Sequence, residues 1–274
     1  MSADIKPVNK TTFRNYTDIE KAVKEHYHKM RIHHTLDLNK EIRNFMNQRE
    51  PVKMNIWDVF DKLNHFIDVS DPDINLPNLH HLLQTAEGIR EDGHPEWLQV
   101  VGLIHDLGKI LYYLVDKDSW GMSIKEQWGI AGDTFVLGCN IPNSIVYPEF
   151  NCENPDYGRY SENGIYSKQC GMHNLIYSYG HDEYLYQVLK DNKCPLPEEG
   201  YAIIRFHSCY LWHTEKEYMH FMKDSDSNLL EWVKIFNKYD LYTKRDESLD
   251  LDNLKEYYDK LIKKYLSPDG VLRW

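Results

Sequence analysis

The chain has 274 residues, of which 42% are hydrophobic and 13% aromatic, so it can bury one sizeable core. Its formal net charge of -11 argues against a nucleic-acid or anionic-membrane partner, because both need basic side chains to neutralise phosphates. The five cysteines never show C-x-x-C spacing, which argues against a disulfide framework and a thiolate zinc site. With a polar N-terminus and only short apolar runs, the sequence predicts a cytoplasmic protein without a signal peptide or a membrane span.

Helical periodicity dominates the first hundred residues. The predicted helices cover residues 17–50 (as one or two helices), 56–67, 79–93 and 95–107. Asn78 is suited to cap the third of these segments, and Gly93 to end it. Pro95 suits the start of the next helix, which carries His105 and Asp106.

The character of the chain changes between residues 120 and 171, where Gly, Asn, Pro and Tyr alternate with short β-branched runs such as Ser144–Tyr147. This pattern predicts a long irregular excursion with one small hairpin. Such a loop inside a compact domain usually has a function, and we expect it to roof an active site. Helical signal returns at residues 174–191, 197–207, 229–239 and 254–265. The sequence therefore predicts a single all-α domain.

The sharpest local feature is an adjacent imidazole and carboxylate, His105 and Asp106, near a helix end, with Lys109 one turn beyond His105. Alone, such a pair is weak evidence, because most are caps, surface pairs or satisfied core histidines. Further motifs lie in apolar helical stripes: His80-His81, His181-Asp182-Glu183, Arg205–Ser208 and Asn237–Asp240. Because buried imidazoles and carboxylates need partners, the set indicates metal chemistry.

This order of motifs resembles the HD-domain superfamily, and more closely the myo-inositol oxygenase family within it. The resemblance is carried by the segments Gln84–Arg90, Gly102–Lys109, Gly132–Phe135, Tyr179–Tyr184, Ile204–Ser208 and Phe236–Lys244. It extends from Phe13 to Trp274, and it implies a helical bundle of the HD-domain type. Arg14 matches a residue that reaches the substrate in the family, so we expect residues 1–16 to form a lid over a catalytic domain of residues 17–274.

The resemblance also implies two iron ions per chain, mixed-valent Fe(II)/Fe(III) in the active state. The first iron would take His81, His105, Asp106 and Asp240, and the second His181 and His207, with Asp106 bridging the two. By helical spacing His80 is as good a ligand as His81, but His81 lies three residues before Gln84, where the family's ligand lies. Imidazole and carboxylate ligands without thiolate suit iron that changes valence and binds oxygen.

For the substrate, the resemblance implies contacts from Arg14, Asp68, Val69, Ser70, Lys109, Gly132, Asp133, His207, Ser208 and Lys244, with Lys109 and Asp106 as catalytic residues. A neutral polyol needs such a mixture of donors and acceptors. Without the resemblance, Asp68 is equally a turn residue, Ser208 a cap, and Lys109 and Lys244 solvated charges. We assign no metal role to His26, His28, His33, His34, His65, His94, His173, His213 and His220.

The implied activity is the ring-cleaving, four-electron oxidation of myo-inositol by dioxygen to D-glucuronate, without nicotinamide or flavin, in a protein that we expect to be a monomer. The main alternative is an HD-type metal-dependent phosphohydrolase, which would need cationic groups to hold a phosphate. The presence of His181 and His207 favours the oxygenase. A further alternative is a scaffold protein without catalysis, but such a protein has no reason to keep all six ligands.

Overall fold

The computed structural model describes residues 21–70, 78–115, 124–242 and 251–274. Its α-helices are α1 (Lys21–His33), α2 (Leu36–Gln48), α3 (Ile56–Leu63), α4 (Asn78–Glu91), α5 (Glu96–Ile104), α6 (Leu111–Leu114), α7 (His181–Asp191), α8 (Glu198–Phe206), α9 (Tyr210–His213), α10 (Asp226–Tyr242) and α11 (Leu251–Tyr265). Short 3₁₀ helices lie at Leu107–Ile110, Pro148–Glu153, Met172–Asn174 and Met219–Phe221. The predicted all-α, HD-type bundle is confirmed. No described helix is long and apolar enough to cross a membrane.

In the described residues, strand structure is confined to one small antiparallel sheet. Strand β1 (Lys53–Asn55) pairs with β2 (Val271–Arg273), with Met54 opposite Leu272. The predicted hairpin within residues 120–171 is wrong over 124–171, where the Ser144–Tyr147 run forms turns and bends. Local β-propensity does not make a strand unless a partner supplies hydrogen bonds, and this run has no strand beside it.

The helix predicted from residue 174 begins only at His181. Residues 175–180 are instead not helical, because the backbone of residues 176–178 pairs with residues 135–137 of the excursion. The amide of Leu137 donates to the carbonyl of Ile176, and the amide of Ser178 donates to the carbonyl of Phe135, each at 2.8 Å. Long-range pairing therefore overrides helical periodicity here, and His181 becomes the first residue of α7.

The bundle core surrounds α5, whose residues 98–104 are all buried. A helix that is apolar on every side belongs in a protein interior, and α5 packs against α4, α8, α10 and α11. His105 follows directly as the C-cap of α5. The hydrophobicity of this one helix therefore places the His105-Asp106 pair in the middle of the bundle.

Helix α1 holds part of the excursion against the bundle. Its Val23, Tyr27 and Met30 form a small second apolar cluster with partly buried side chains that include Trp128 and Tyr147. On the same helix, buried His26 lies 3.2 Å from the carbonyl oxygen of Ala131 through Nε2. These contacts fix the start of the excursion, which lines the site described next.

Candidate metal centre and substrate pocket

Separate helices deliver the predicted metal ligands to one place in the core. They are His81 on α4, His105 and Asp106 after α5, His181 at the start of α7, His207 after α8, and Asp240 on α10. All except Asp240 are buried, and the Asp240 side chain is only 12% exposed. Residues that are up to 159 positions apart in sequence thus share one polar cluster inside an apolar bundle.

The ligands fall into two groups. In the first, Oδ1 of Asp240 lies 3.0 Å from His81 Nε2 and 3.2 Å from His105 Nε2. In the second, His181 Nε2 lies 3.1 Å from His207 Nε2 and 3.1 Å from Asp106 Oδ1.

Asp106 stands between the two groups. Its Oδ1 faces His181 and His207, at 3.1 and 3.8 Å from their Nε2 atoms, whereas its Oδ2 lies 3.9 Å from His105 Nε2. One carboxylate thus offers a different oxygen to each group, an arrangement that suits a ligand bridging two metal ions.

Three of the four histidine rings are held by the backbone in an orientation that can accept a cation. Nδ1 of His105 lies 2.8 Å from the carbonyl oxygen of Gly102, and Nδ1 of His181 lies 2.7 Å from that of Ile130. Nδ1 of His207 likewise lies 3.0 Å from the carbonyl oxygen of Ile204. A carbonyl oxygen only accepts, so each of these Nδ1 atoms carries a proton, and in a neutral imidazole this leaves the lone pair of Nε2 directed at the centre.

This orientation is itself the test of whether a metal fits. Two lone pairs, on His181 Nε2 and His207 Nε2, face each other at 3.1 Å, beside the carboxylate of Asp106. Neutral acceptors in such a cluster repel one another unless a metal ion or a proton lies among them, and a metal ion can satisfy all of them at once. A nitrogen and oxygen donor set without sulfur suits iron and related divalent ions. We conclude that the two groups fit metal ions.

Lys109 is tied into this cluster by the 3₁₀ helix Leu107–Ile110. In a 3₁₀ helix residues three apart eclipse one another, and Lys109 Nζ lies 2.7 Å from Oδ2 of Asp106. It lies equally close, 2.7 Å, to Oδ2 of Asp68. Lys109 is only 5% exposed, so the alternative that it is a solvated helix-end charge is wrong.

The charges of this trio stabilise one another. Burial would lower the pKa of Lys109, but Asp106 and Asp68 raise it above its usual range. Burial would raise the pKa of Asp68, but the Lys109 charge and hydrogen bonds from Lys109 and Ser70 hold it at about 2. Lys109 is therefore an ammonium and Asp68 a carboxylate at neutral pH.

The turn that carries Asp68 is held by its own side chain and by the excursion. Oδ1 of Asp68 accepts from the amide and the hydroxyl of Ser70, at 2.8 and 2.6 Å. The Gln127 side chain accepts from the amide of Val69 at 3.0 Å and donates to the carbonyl of Ile67 at 2.9 Å. Asp68 is thus a turn residue and an ion-pair partner at once.

A small cavity of about 40 Å³ lies over the ligands. Besides the six predicted metal ligands, its lining consists of Asp68, Ser70, Lys109, Gly132, Ser208 and Tyr210. Tyr210 is not among the residues that the sequence predicts, and the signal that points to it is its position three residues after His207, beside the motif that ends at Ser208.

Two predicted substrate residues lie near this cavity without lining it. The amide of Val69 is already bound to Gln127, and Asp133 accepts a hydrogen bond from the hydroxyl of Tyr27 at 3.1 Å. Arg14 and Lys244 lie outside the described residues.

The close approach of Gly108 to α7 fixes the two groups relative to each other. A Cβ at Gly108 would overlap the carbonyl oxygen of His181 and stand 2.7 Å from its carbonyl carbon. Because this obstacle is backbone, Gly108→Ala must push α7 away and separate His181 from Asp106. We expect loss of metal from the second group and a stability cost of about 1–3 kcal/mol, measured by metal analysis and thermal unfolding.

The matched control for this prediction is Gly200→Ala in α8, where the nearest atom to a new Cβ would be Val101 Cγ2 at an ordinary 3.4 Å. This variant should keep full metal content. Equal metal content in both alanine variants would show that the approach of Gly108 does not set the site.

A buried ion network supports the second group from behind. Glu183, two residues after His181, accepts from Arg205 Nε at 2.8 Å and from Arg43 Nη1 at 2.6 Å. Arg205 lies two residues before His207. Burial would raise the pKa of Glu183, but Arg205 and Arg43 lower it to about 2. The Glu183 carboxylate therefore joins α7 to α8 close to His181 and His207.

Glu183→Gln should destabilise the protein by about 3–5 kcal/mol at pH 7, because two guanidinium groups lose their counter-charge. The folded pKa is depressed below its ordinary value of 4.5, so the wild-type advantage is present above pH 4.5 and is lost as pH falls toward 2. Urea unfolding of both proteins at pH 6.5 and pH 3.5 measures this. The exposed control Glu256→Gln should change little. A wild-type advantage that is equal at both pH values would contradict the assignment.

Comparison with known proteins gives the family. The model of a family described as myo-inositol oxygenase matches residues 20–274. A Danio rerio protein called inositol oxygenase is 44% identical in an alignment of length 274. The alignment covers 97% of this chain and 94% of that protein. The inositol oxygenase of Dictyostelium discoideum is 44% identical in an alignment of length 269 that covers 96% of this chain and 89% of that protein. The inositol oxygenase of Rattus norvegicus is 42% identical in an alignment of length 274 that covers 97% of this chain and 92% of that protein. The bundle also brings His105 and Asp106 together with the other four predicted ligands. Because the family model and these relatives match nearly the whole chain, the chain belongs to the myo-inositol oxygenase family.

Proposed function

We propose that this chain oxidises myo-inositol with dioxygen to D-glucuronate, a ring-cleaving four-electron oxidation. Two irons, mixed-valent in the active state, would lie in the two groups, the first held by His81, His105, Asp106 and Asp240 and the second by His181, His207 and Asp106. The observation that carries the proposal is Asp106, which presents one oxygen to each group. Family membership supports the substrate.

When bound, the irons would pass the four electrons of myo-inositol to dioxygen and would offer open coordination positions to both. The side chains of the protein position the substrate and the proton. Lys109 holds a proton at Nζ and can hydrogen-bond a substrate oxygen as that oxygen gains negative charge. Its two carboxylate partners keep it protonated and aimed at the cavity.

The polyol would be held by neutral groups and by the turn after α3. The hydroxyl of Ser208 and the side chains of Asp68 and Ser70 border the cavity and offer donors and acceptors to ring hydroxyls. We propose the same role for Val69, Gly132, Asp133 and His207, and for Arg14 and Lys244.

The geometry supports the oxygenase better than the phosphohydrolase. Among the described residues that line the cavity, the one Lys or Arg is Lys109, and two carboxylates already neutralise it. A phosphate would therefore meet no unpaired Lys or Arg in this lining. The scaffold alternative is disfavoured because five of the six predicted ligands form two convergent groups and Asp240 contacts the first of them.

The experiment combines metal analysis with an oxygen electrode. Protein made in iron-rich medium should carry two irons per chain, consume dioxygen only when myo-inositol is added, and release D-glucuronate in equal amount. His181→Ala is the inactive control. Iron-loaded protein that consumes no dioxygen with myo-inositol, yet hydrolyses a phosphomonoester, would reverse the assignment.

We further propose that residues 1–16 form a lid over bound substrate and that the protein acts as a cytoplasmic monomer of 32.7 kDa. A chain that begins at residue 17 should keep both irons but lose at least about tenfold in turnover, because water then enters the site. Metal analysis and steady-state kinetics on both chain lengths measure this. Full turnover by the shortened chain would show that residues 1–16 do not act as a lid.

A further inference from the structure

Three consecutive residues of the excursion, Ile130, Ala131 and Gly132, connect two parts of the candidate site. The carbonyl oxygen of Ile130 accepts from the amide of His181 at 2.8 Å and lies 2.7 Å from its Nδ1. Gly132 lines the cavity over the ligands. The position of this short segment therefore affects both the orientation of a predicted ligand and the wall of the substrate pocket.

No helix or strand includes Ile130, Ala131 or Gly132, so individual hydrogen bonds must hold them. The amides of Ile130 and Ala131 both donate to the carbonyl of Gln127, each at 2.9 Å. The carbonyl of Ala131 is bound by a distant residue, His26 of α1, whose Nε2 lies 3.2 Å away. Because a carbonyl oxygen only accepts, Nε2 of His26 donates this bond. Helix α1 thus holds the segment at its middle residue.

The surroundings of His26 indicate that this bond is its role. His26 is only 4% exposed, and its Nδ1 is buried without a hydrogen-bond partner among the described residues. Burial outweighs the nearby Asp68 carboxylate and lowers the pKa of His26, so the ring is neutral at pH 7 and Nδ1 is an unsatisfied acceptor. An apolar side chain would avoid the cost of that buried nitrogen. What an apolar side chain would lack is the donor to Ala131.

Helix α1 also packs directly behind Gly132. The backbone of Gly132 has a φ of +92°, which favours glycine, and a Cβ there would lie 2.6 Å from Met30 Sδ and 3.3 Å from His26 Nε2. The His26 ring therefore stands against the pocket wall itself. A change of this side chain can shift the wall as well as the Ala131 carbonyl.

A second histidine makes a similar bond away from the cavity. His34, which is fully buried just after α1, has its Nε2 3.1 Å from the carbonyl oxygen of Trp128. This bond also joins the α1 region to the excursion, but Trp128 is not among the residues that line the cavity. Comparing the two histidines therefore separates general anchoring of the excursion from positioning of the site.

We propose that His26 is a positioning residue of the site and acts through its bond to Ala131. The bond keeps the Ile130 carbonyl on His181 and keeps Gly132 in the pocket wall. Loss of the group that orients a ligating imidazole commonly weakens metal binding by about 10–100-fold. His26 acts one bond further out, so we expect the lower end of that range. The effect on substrate, unlike the effect on metal, rests on the proposed function.

The first arm measures how firmly the iron-loaded full chain keeps its metals against increasing concentrations of an iron chelator. The step of iron loss that is missing in His181→Ala belongs to the second group. His26→Leu keeps an apolar side chain but no donor. In this variant, the chelator concentration that removes half of the second-group iron should fall at least about tenfold, while first-group iron changes less than about threefold.

Three further variants serve as controls. His26→Gln retains an N–H donor and should hold second-group iron within about threefold of wild type. His34→Leu removes the comparable bond to Trp128 and should leave both groups unchanged, even where it lowers Tm as much as His26→Leu does. Should His26→Leu fail to fold, His26→Asn, whose shorter amide cannot reach Ala131, repeats the test. The proposal is overturned by wild-type iron retention in His26→Leu, by equal loss in His34→Leu, or by a His26→Gln protein no better than His26→Leu.

The second arm compares turnover of myo-inositol by the same variants at full iron loading. Because Gly132 is a wall and not a reacting group, KM should rise at least about threefold in His26→Leu while kcat changes little. His26→Gln and His34→Leu should keep the wild-type KM. An unchanged KM in His26→Leu would overturn the effect on the pocket wall. If the proposed function itself fails, the wild type consumes no dioxygen with myo-inositol, whereas the order of iron retention among the variants persists.

Discussion

Asp106→Ala is expected to lose the metal of both groups and to abolish turnover. The reason is geometric, because Asp106 gives Oδ1 to His181 and His207 and directs Oδ2 toward His105. Removing one residue therefore removes a ligand from each group. Metal analysis of purified protein should find close to two irons per chain in the wild type and a small residue in the variant.

The control for this prediction is His181→Ala, which removes a ligand from the second group alone and should retain the first metal. Iron spectroscopy distinguishes the two results, because a coupled pair and an isolated ion differ in their magnetic signals. If Asp106→Ala still held two irons with unchanged spectra, the carboxylate would not bridge them.

Lys109→Ala is expected to keep both metals and the fold, while kcat/KM for myo-inositol falls at least ~100-fold, or ~2.7 kcal/mol of transition-state stabilisation. Lys109 is not a ligand, so metal content should not fall. Its ammonium lies 2.7 Å from both Asp106 and Asp68, at the edge of the cavity. The lost hydrogen bond is one that strengthens as a substrate oxygen becomes negative.

The comparison variant is Lys109→Arg, which keeps the positive charge but replaces a compact ammonium by a planar fork that cannot keep the same bonds. We expect it to recover little of the activity. Metal content, circular dichroism and steady-state kinetics on the three proteins provide the measurement. A Lys109→Ala enzyme within about threefold of wild type would mean that Lys109 is needed only to balance the two carboxylates.

The all-helical fold was predictable because helical periodicity records which face of each segment is buried. The stripe in residues 95–107 predicts α5 and its buried position, and that position alone makes His105 and Asp106 interior residues. The assignment of the six metal ligands came from their resemblance to a family, since spacing alone did not separate His81 from His80. In the structure His81 is buried against Asp240, whereas His80 is half-buried.

Other features depend on contacts that no local pattern records. The start of α7 at His181 is set by pairing with residues 135–137, and the β1–β2 sheet joins segments about 220 residues apart. The Asp68–Lys109 ion pair and the Arg43–Glu183 bond are likewise long-range.

The sequence by itself determined most of the helices and the residue types that the metals need, because burial periodicity and ligand chemistry are properties of single segments. Only the tertiary structure decided which oxygen of Asp106 faces which histidine, and that Arg43 of α2 reaches Glu183 of α7. Distances between side chains depend on how helices pack, and packing is fixed by the whole core rather than by any one segment.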